Sequence, residues 1–315
     1  MKGGILMFAW KNPVMPRGGD PWMIVDGKGG YYFTCTRGRN LTLWHVTDLA
    51  DFEHAESKVV WLPPECGPGS CDLWAPELHL IDGRWLIYYA ASDGTGDVGR
   101  RMHVVGCDSD DPMTGNWSPL AILNTARAGL DGTVLRRGDE MYFCYAGYGD
   151  FPEHGSALYI ARMKDICTLE GEETCLTVPE YWWERQGGMP INEGPAILYR
   201  NGRIFMVYSA STTWSPDYCL GMLTAPADAN LLDAASWHKE TEPVFKKCPE
   251  HRVLAPGHNG FTVLPDGTDL IVYHAIDGED TTENLDTGKR CPRIQPFTWR
   301  EDGTPDFGIP VACDR

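Results

Sequence analysis

The 315-residue chain is predicted to be all-β, a single-domain five-bladed β-propeller spanning residues 1–315. Three observations predict it: a hairpin unit that recurs five times, helical periodicity that is weak throughout, and no linker-like segment that would divide the chain. Aligned on their turns, the units read DPWMIVDGKGGYYFTCT, WAPELHLIDGRWLIYYAAS, DGTVLRRGDEMYFCYAGY, EGPAILYRNGRIFMVYSAS and HNGFTVLPDGTDLIVYHAI.

Each part of the unit has its own reason. The turn glycines Gly27, Gly83, Gly138, Gly202 and Gly267 stand 56, 55, 64 and 65 residues apart, and pairs such as Asn201-Gly202 suit tight hairpins. The run after each turn is rich in Tyr, Phe, Val and Ile, the side chains that fit a pleated, half-buried surface. Two further strand-like runs follow most copies, such as RMHVVGCD and ALYIARM, which makes four strands per blade. Segments such as PPECGPGSCDLWAPE and PEYWWERQGGMP read as surface loops over one face of the disk, and ADANLLDAASW holds at most a helical turn.

Composition narrows the partners. Hydrophobic residues make up 43% of the chain, enough for a sizeable core. The 12 Trp and 13 Tyr fit either core filler or stacking on sugar rings. A net charge of −17 without a basic patch excludes nucleic acid and anionic membrane as expected partners. No apolar run is long enough to cross a bilayer. The N-terminal MKGGILMFAWKNP lacks a small-residue cleavage pattern and reads as no signal peptide. The 11 cysteines are odd in number, scattered, and contain no CxxC pair, so the expectation is a reduced, cytoplasmic protein.

In a propeller the first strand of each blade lines the central channel. Counting back from the turns, Asp20 lies six residues before Asp26 and Asp131 six before Arg137. Trp74, Glu193 and His258 lie eight before Asp82, Asn201 and Asp266. Six and eight share a parity, so all five side chains are expected on one strand face near the channel mouth. Converging carboxylates repel, which spreads their pKa values, and one raised plus one ordinary carboxyl is what glycosidic cleavage requires.

At these residues the sequence resembles glycoside hydrolase family 43, five-bladed propeller enzymes acting on arabinan and xylan side chains. The resemblance runs through GGDPWMI, WAPELHLIDGRWLIYYAAS, LDGTVL, NEGPAIL, YSAS, DYCLGMLTA, PGHNGF and RIQPFTWREDGTPDFG. WAPELH and DYCLGMLTA are similar to the branch that removes terminal arabinose from 1,5-linked oligosaccharides. The resemblance implies Asp20 as general base, Asp131 as the residue that orients and tunes the acid, and Glu193 as general acid. It implies Trp74 and Arg293 as contacts to the sugar. It implies that His258 approaches, through water, a structural calcium in the central channel, with no cofactor required for the reaction. The chain departs from the family at Gly260, where a serine is usual.

The implied activity is an inverting, exo-acting α-L-arabinofuranosidase on arabinose-containing oligosaccharides, with oligomeric state open. β-Xylosidase and galactofuranosidase activity stay open, because the carboxylates do not encode the sugar; loops 181–189 and 211–218 are expected to read it. The fructan-cleaving propellers, marked by NDPNG, RDP and ECP, fit less well to GGDPW, LDG and NEGP. A non-catalytic glycan-binding propeller would not need three carboxylates in register.

Overall fold

The computed structural model describes residues 10–149 and 154–314; residues 1–9, part of the segment behind the leader reading, lie outside it. Blade 1 comprises β1 (Gly19–Val25), β2 (Tyr31–Thr36), β3 (Leu41–Val46) and β4 (Glu56–Trp61). Blade 2 comprises β5 (Cys71–Ile81), β6 (Arg84–Ser92), β7 (Arg101–Cys107) and β8 (Trp117–Ile122). Blade 3 comprises β9 (Gly129–Arg137), β10 (Glu140–Tyr148), β11 (Ser156–Asp165) and β12 (Thr168–Thr177). Blade 4 comprises β13 (Asn192–Arg200), β14 (Arg203–Ala210), β15 (Cys219–Pro226) and β16 (His238–Lys239). Blade 5 comprises β17 (Val253–Val263), β18 (Asp269–Asp277) and β19 (Cys291–Pro296).

Strands pair antiparallel in chain order within every blade. The turns behave as their residues dictate. At Asp82-Gly83 and Asn201-Gly202 both central residues have positive φ, the two-residue turn whose twist matches paired strands. Blade 1 instead spans Asp26–Gly30, where the Asp26 carboxylate accepts the amides of Lys28 and Gly30. Hydrophobic cores lie between neighbouring blades: Leu43 and Ile87 share one, Val272 and Met23 another, Val207 and Ile271 a third. The second strands β2, β6, β10, β14 and β18 are buried along nearly their whole length, which is why they read as near-continuous apolar runs.

Blade 5 departs from the four-strand expectation, having three strands. Its outer edge is covered by the segment before β1. The Asn12 side chain donates to Ile294 O at 2.8 Å and accepts from Ile294 N at 2.9 Å, so one amide imitates a paired strand. Val14 N donates to Pro292 O, and the Trp10 indole donates to Ile294 O. The segment 10–14 and the last blade are thereby joined, which closes the ring and covers the outer edge of β19.

Asn12→Ala leaves the buried N–H of Ile294 without a partner and its C=O with the Trp10 indole alone, a cost of about 1–3 kcal/mol. The expected result is a melting temperature lowered by several degrees; an unchanged melting curve would show that ring closure does not depend on this amide.

Candidate active site

Every inner strand carries the same irregularity. Two residues face one on the neighbouring strand at Asp20-Pro21, Ala75-Pro76, Asp131-Gly132, Gly194-Pro195 and His258-Asn259. The first residue of each pair has positive φ: 53, 45, 55, 55 and 47°. This is a bulge with a left-handed leading residue, repeated five times around the channel. Asp and His tolerate that conformation better than most residues, and Pro needs no ladder hydrogen bond at an unpaired position.

The bulges correct the parity argument. Asp20, Asp131 and His258 are equivalent, each leading its bulge, whereas Trp74 and Glu193 stand one residue earlier. In unbroken strands neighbouring positions would face opposite ways. The bulge redirects the chain, and all five side chains line one hollow of about 260 Å³. The side chains converge as expected, by a different route.

Within this hollow Asp20 is held from several sides. Its Oδ1 accepts from Arg290 Nη1 at 2.8 Å, and its Oδ2 from the Thr36 hydroxyl at 2.6 Å. Its amide donates to His274 Nδ1, which fixes that imidazole as the Nδ1 acceptor. Thr36 Oγ1 in turn accepts from the amide of Ala75, tying the leading residues of two blades together. Burial is the largest single influence and opposes the Asp20 charge, but Arg290, His258, His274 and the Thr36 hydrogen bond together outweigh it and hold the carboxyl far below its ordinary range. Asp20 is therefore ionised at neutral pH.

Glu193 is the opposite case. Burial pushes its pKa up to about 7, the charge on Asp20 adds to the rise, and a 2.7 Å hydrogen bond from the Tyr218 hydroxyl partly offsets it. Asp131 is raised too, by burial first and then by Glu193 and Asp20. His258 Nδ1 lies 3.4 Å from Asp20 and 3.7 Å from Asp131, between the carboxyls, and burial holds the ring toward its neutral form. One hollow thus contains an ionised carboxylate and a carboxyl that keeps its proton close to neutrality, the pairing that acid–base chemistry requires.

Trp74 lines the hollow with its ring backed by the buried Arg100 guanidinium at 3.6 Å. Arg293 does not reach the hollow. Its side chain is fully buried and bonds to Asp277 and to Val311 O, because its strand position faces the C-terminal segment. The arginine that enters is Arg290, three residues earlier in the loop before β19. The family resemblance implied Arg293, in RIQPF, and the loop geometry brings Arg290 to the hollow instead. Thr213 and Trp214 line the hollow as well, within the 211–218 loop expected to read the sugar. Tyr218, within DYCLGMLTA, and His274, within the fifth hairpin unit, were assigned no role from the sequence; their rings stack at 5.6 Å behind the carboxyls. At Gly260 an added Cβ would meet the Trp22 ring at 3.1 Å, so the family's usual serine would crowd that indole.

The residues present do not fit direct coordination of calcium. A hard cation takes six to eight oxygens, and no group of three or more His, Cys, Asp or Glu among the described residues forms a coordinating set. His258 offers one nitrogen, directed at carboxyls.

The family model for glycosyl hydrolases family 43 matches residues 10–305. An extracellular exo-α-(1→5)-L-arabinofuranosidase of Streptomyces avermitilis is 36% identical over 307 residues, covering 96% of this chain and 63% of its own length. α-L-Arabinofuranosidase 43 of Humicola insolens is 39% identical, covering 95% and 63%. The chain spans about 63% of the length of these two curated relatives. The crystal structure of α-L-arabinofuranosidase from Lactobacillus brevis superposes with a TM-score of 0.90 at 38% identity, covering 97% of this chain and 98% of that one. The cytoplasmic expectation is overturned: the streptomycete relative is named as extracellular, and an N-terminal composition argument carries less weight than that relationship.

A carboxyl titration of Glu193 followed by carbon NMR is expected to show a midpoint near 7. Tyr218→Phe removes a bond that favours the ionised form, so the midpoint should move upward. A midpoint in the ordinary glutamate range would refute the assigned environment.

Proposed function

The chain belongs to glycosyl hydrolase family 43, and from that premise we propose that it is an inverting, exo-acting α-L-arabinofuranosidase releasing terminal arabinose from 1,5-linked arabino-oligosaccharides. The observation that carries this reading is the split between the ionised Asp20 and the protonated Glu193 in one hollow. The relatives named as arabinofuranosidases support the choice of sugar.

In the proposed reaction, ionised Asp20 takes a proton from a water as its oxygen attacks the anomeric carbon. Glu193 delivers its proton to the glycosidic oxygen as the bond to that carbon breaks. One proton enters the protein and one leaves it, so the pair returns to its starting state by exchange with solvent. Attack from the face opposite the leaving group inverts the anomeric centre, which calls for carboxyls roughly 6.5–9.5 Å apart with room for the water. Arg290 keeps Asp20 ionised and its lone pairs directed. Asp131, raised by burial first and then by the charges of Glu193 and Asp20, is assigned the role of orienting the acid and tuning its pKa. Trp74 supplies an apolar wall for the sugar ring.

Proton NMR within minutes of mixing enzyme with arabino-oligosaccharides is expected to show arabinose first as the inverted anomer. A retained anomer would remove the base role from Asp20, and xylose release from xylo-oligosaccharides alone would change the substrate. Glu193→Gln should lower kcat on oligosaccharides by about 10²–10⁴-fold, the usual share of general acid catalysis. The loss should be far smaller on a nitrophenyl arabinofuranoside, whose leaving group needs little protonation. For the wild type, kcat/KM on oligosaccharides should fall about tenfold per pH unit above about 7, because only the protonated fraction of Glu193 is active. A flat profile through pH 8 would exclude Glu193 as the acid.

A further inference from the structure

A second hollow, of about 320 Å³, lies outside the catalytic pocket and is lined by Trp182, Trp183, Gln186, Asp217, Glu242 and Lys246 among others. Its volume falls at the lower end of the range for small-ligand sites, roughly 300–1,000 Å³. Trp182 is the feature that needs an explanation. The YWW run places Trp183 inside, 3% exposed, with its indole donating to Thr241 O, while Trp182 between its neighbours is 70% exposed. A large indole left in water at a fixed position represents unburied apolar area that a flat ligand face could cover.

The segment that presents it is rigidly held. Glu184 is fully buried and accepts from the amides of Glu180 and Tyr181, from the Asn192 side chain and from the Tyr208 hydroxyl, and it pairs with Lys239. Tyr181 stacks on Trp183 with centroids 6.0 Å apart. A platform fixed before binding loses little freedom when a ligand lands on it. The same frame is continuous with the catalytic wall. Asn192 immediately precedes Glu193, Gln186 N donates to Ser211 Oγ, and Trp214, which lines the catalytic hollow, donates its indole N–H to Gly187 O.

We propose that this hollow is a second, non-catalytic glycan site that takes the backbone of a linear arabinan chain, with Trp182 as its stacking platform. Glu242 and the Gln186 amide oxygen offer acceptors for ring hydroxyls, Asp217 offers the lone pairs that its Lys247 pair leaves free, and Lys246 adds a cationic donor. This mixture of an exposed aromatic face and polar groups of both kinds suits a neutral hydroxylated chain. It does not suit an apolar peptide, which would leave the polar groups unpaired. The identity of the chain rests on the proposed function; the site itself rests on the platform.

Affinity electrophoresis through gels containing linear arabinan tests it, with Glu193→Gln as the parent so that binding is read without turnover. Adding Trp182→Ala is expected to weaken retention about three- to tenfold, the scale of one aromatic stack. Trp182→Phe should restore most of it, and Glu242→Gln, which leaves the platform in place, provides a second reading at the rim. Retention unchanged by Trp182→Ala, or no retention of the parent in arabinan, would overturn the site. Arabinose release by the wild type is measured separately: its absence would overturn the proposed function, whereas loss of retention alone would not.

Discussion

The site depends on one backbone constraint, a left-handed residue at the mouth of every inner strand. Five strands converge on the channel, and at the same level each takes one residue out of the extended conformation. For Asp20, Asp131 and His258 this conformation places the functional side chain itself at the turn of the bulge. A non-glycine residue in this region costs on the order of 1–3 kcal/mol and persists only where its surroundings over-determine it. Here they do: Thr36 bonds both the Asp20 carboxylate and the Ala75 amide, and Ser209 Oγ accepts the amide of His258.

Once these carboxyls are forced together, electrostatics decides their roles. Arg290 is the cation in direct contact with Asp20, and it stabilises one negative charge in the hollow. The charge on Asp20 then disfavours ionisation of its neighbours, and burial reinforces the effect at Glu193 and Asp131. Burial holds the two imidazoles toward their neutral forms, and their contacts with Asp20 add to Arg290 in favouring its charge. Chemically similar carboxyls thus acquire different charge states from their contacts.

Much of this was legible along the chain. The five turn glycines, four of them in Asp-Gly or Asn-Gly pairs, and the Tyr/Phe/Val/Ile runs marked five hairpins, since turn chemistry and strand propensity are local properties. Asp20, Trp74, Asp131, Glu193 and His258 could be nominated because each sits at the head of a repeated unit. The counting argument that grouped them assumed unbroken strands, and bulges are invisible to a period-of-two rule. The Asp-Pro, Ala-Pro, Asp-Gly, Gly-Pro and His-Asn pairs were the available signal, a recurrent disruption at one level of the repeat. Arg293 was misplaced because a strand residue and a loop residue three positions away look alike in a motif. The three-stranded fifth blade was missed because its edge is covered by Asn12, almost the whole chain length away.

The sequence by itself determined the repeat, the antiparallel hairpins and the candidate carboxyls, because turns, alternation and residue chemistry are written within a few neighbouring positions. Only the tertiary structure decided which arginine meets Asp20, which carboxyl keeps its proton, how the ring closes and where Trp182 is exposed. Those outcomes depend on distances between blades and on the loss of water around buried charges, and neither is a property of any short stretch of chain.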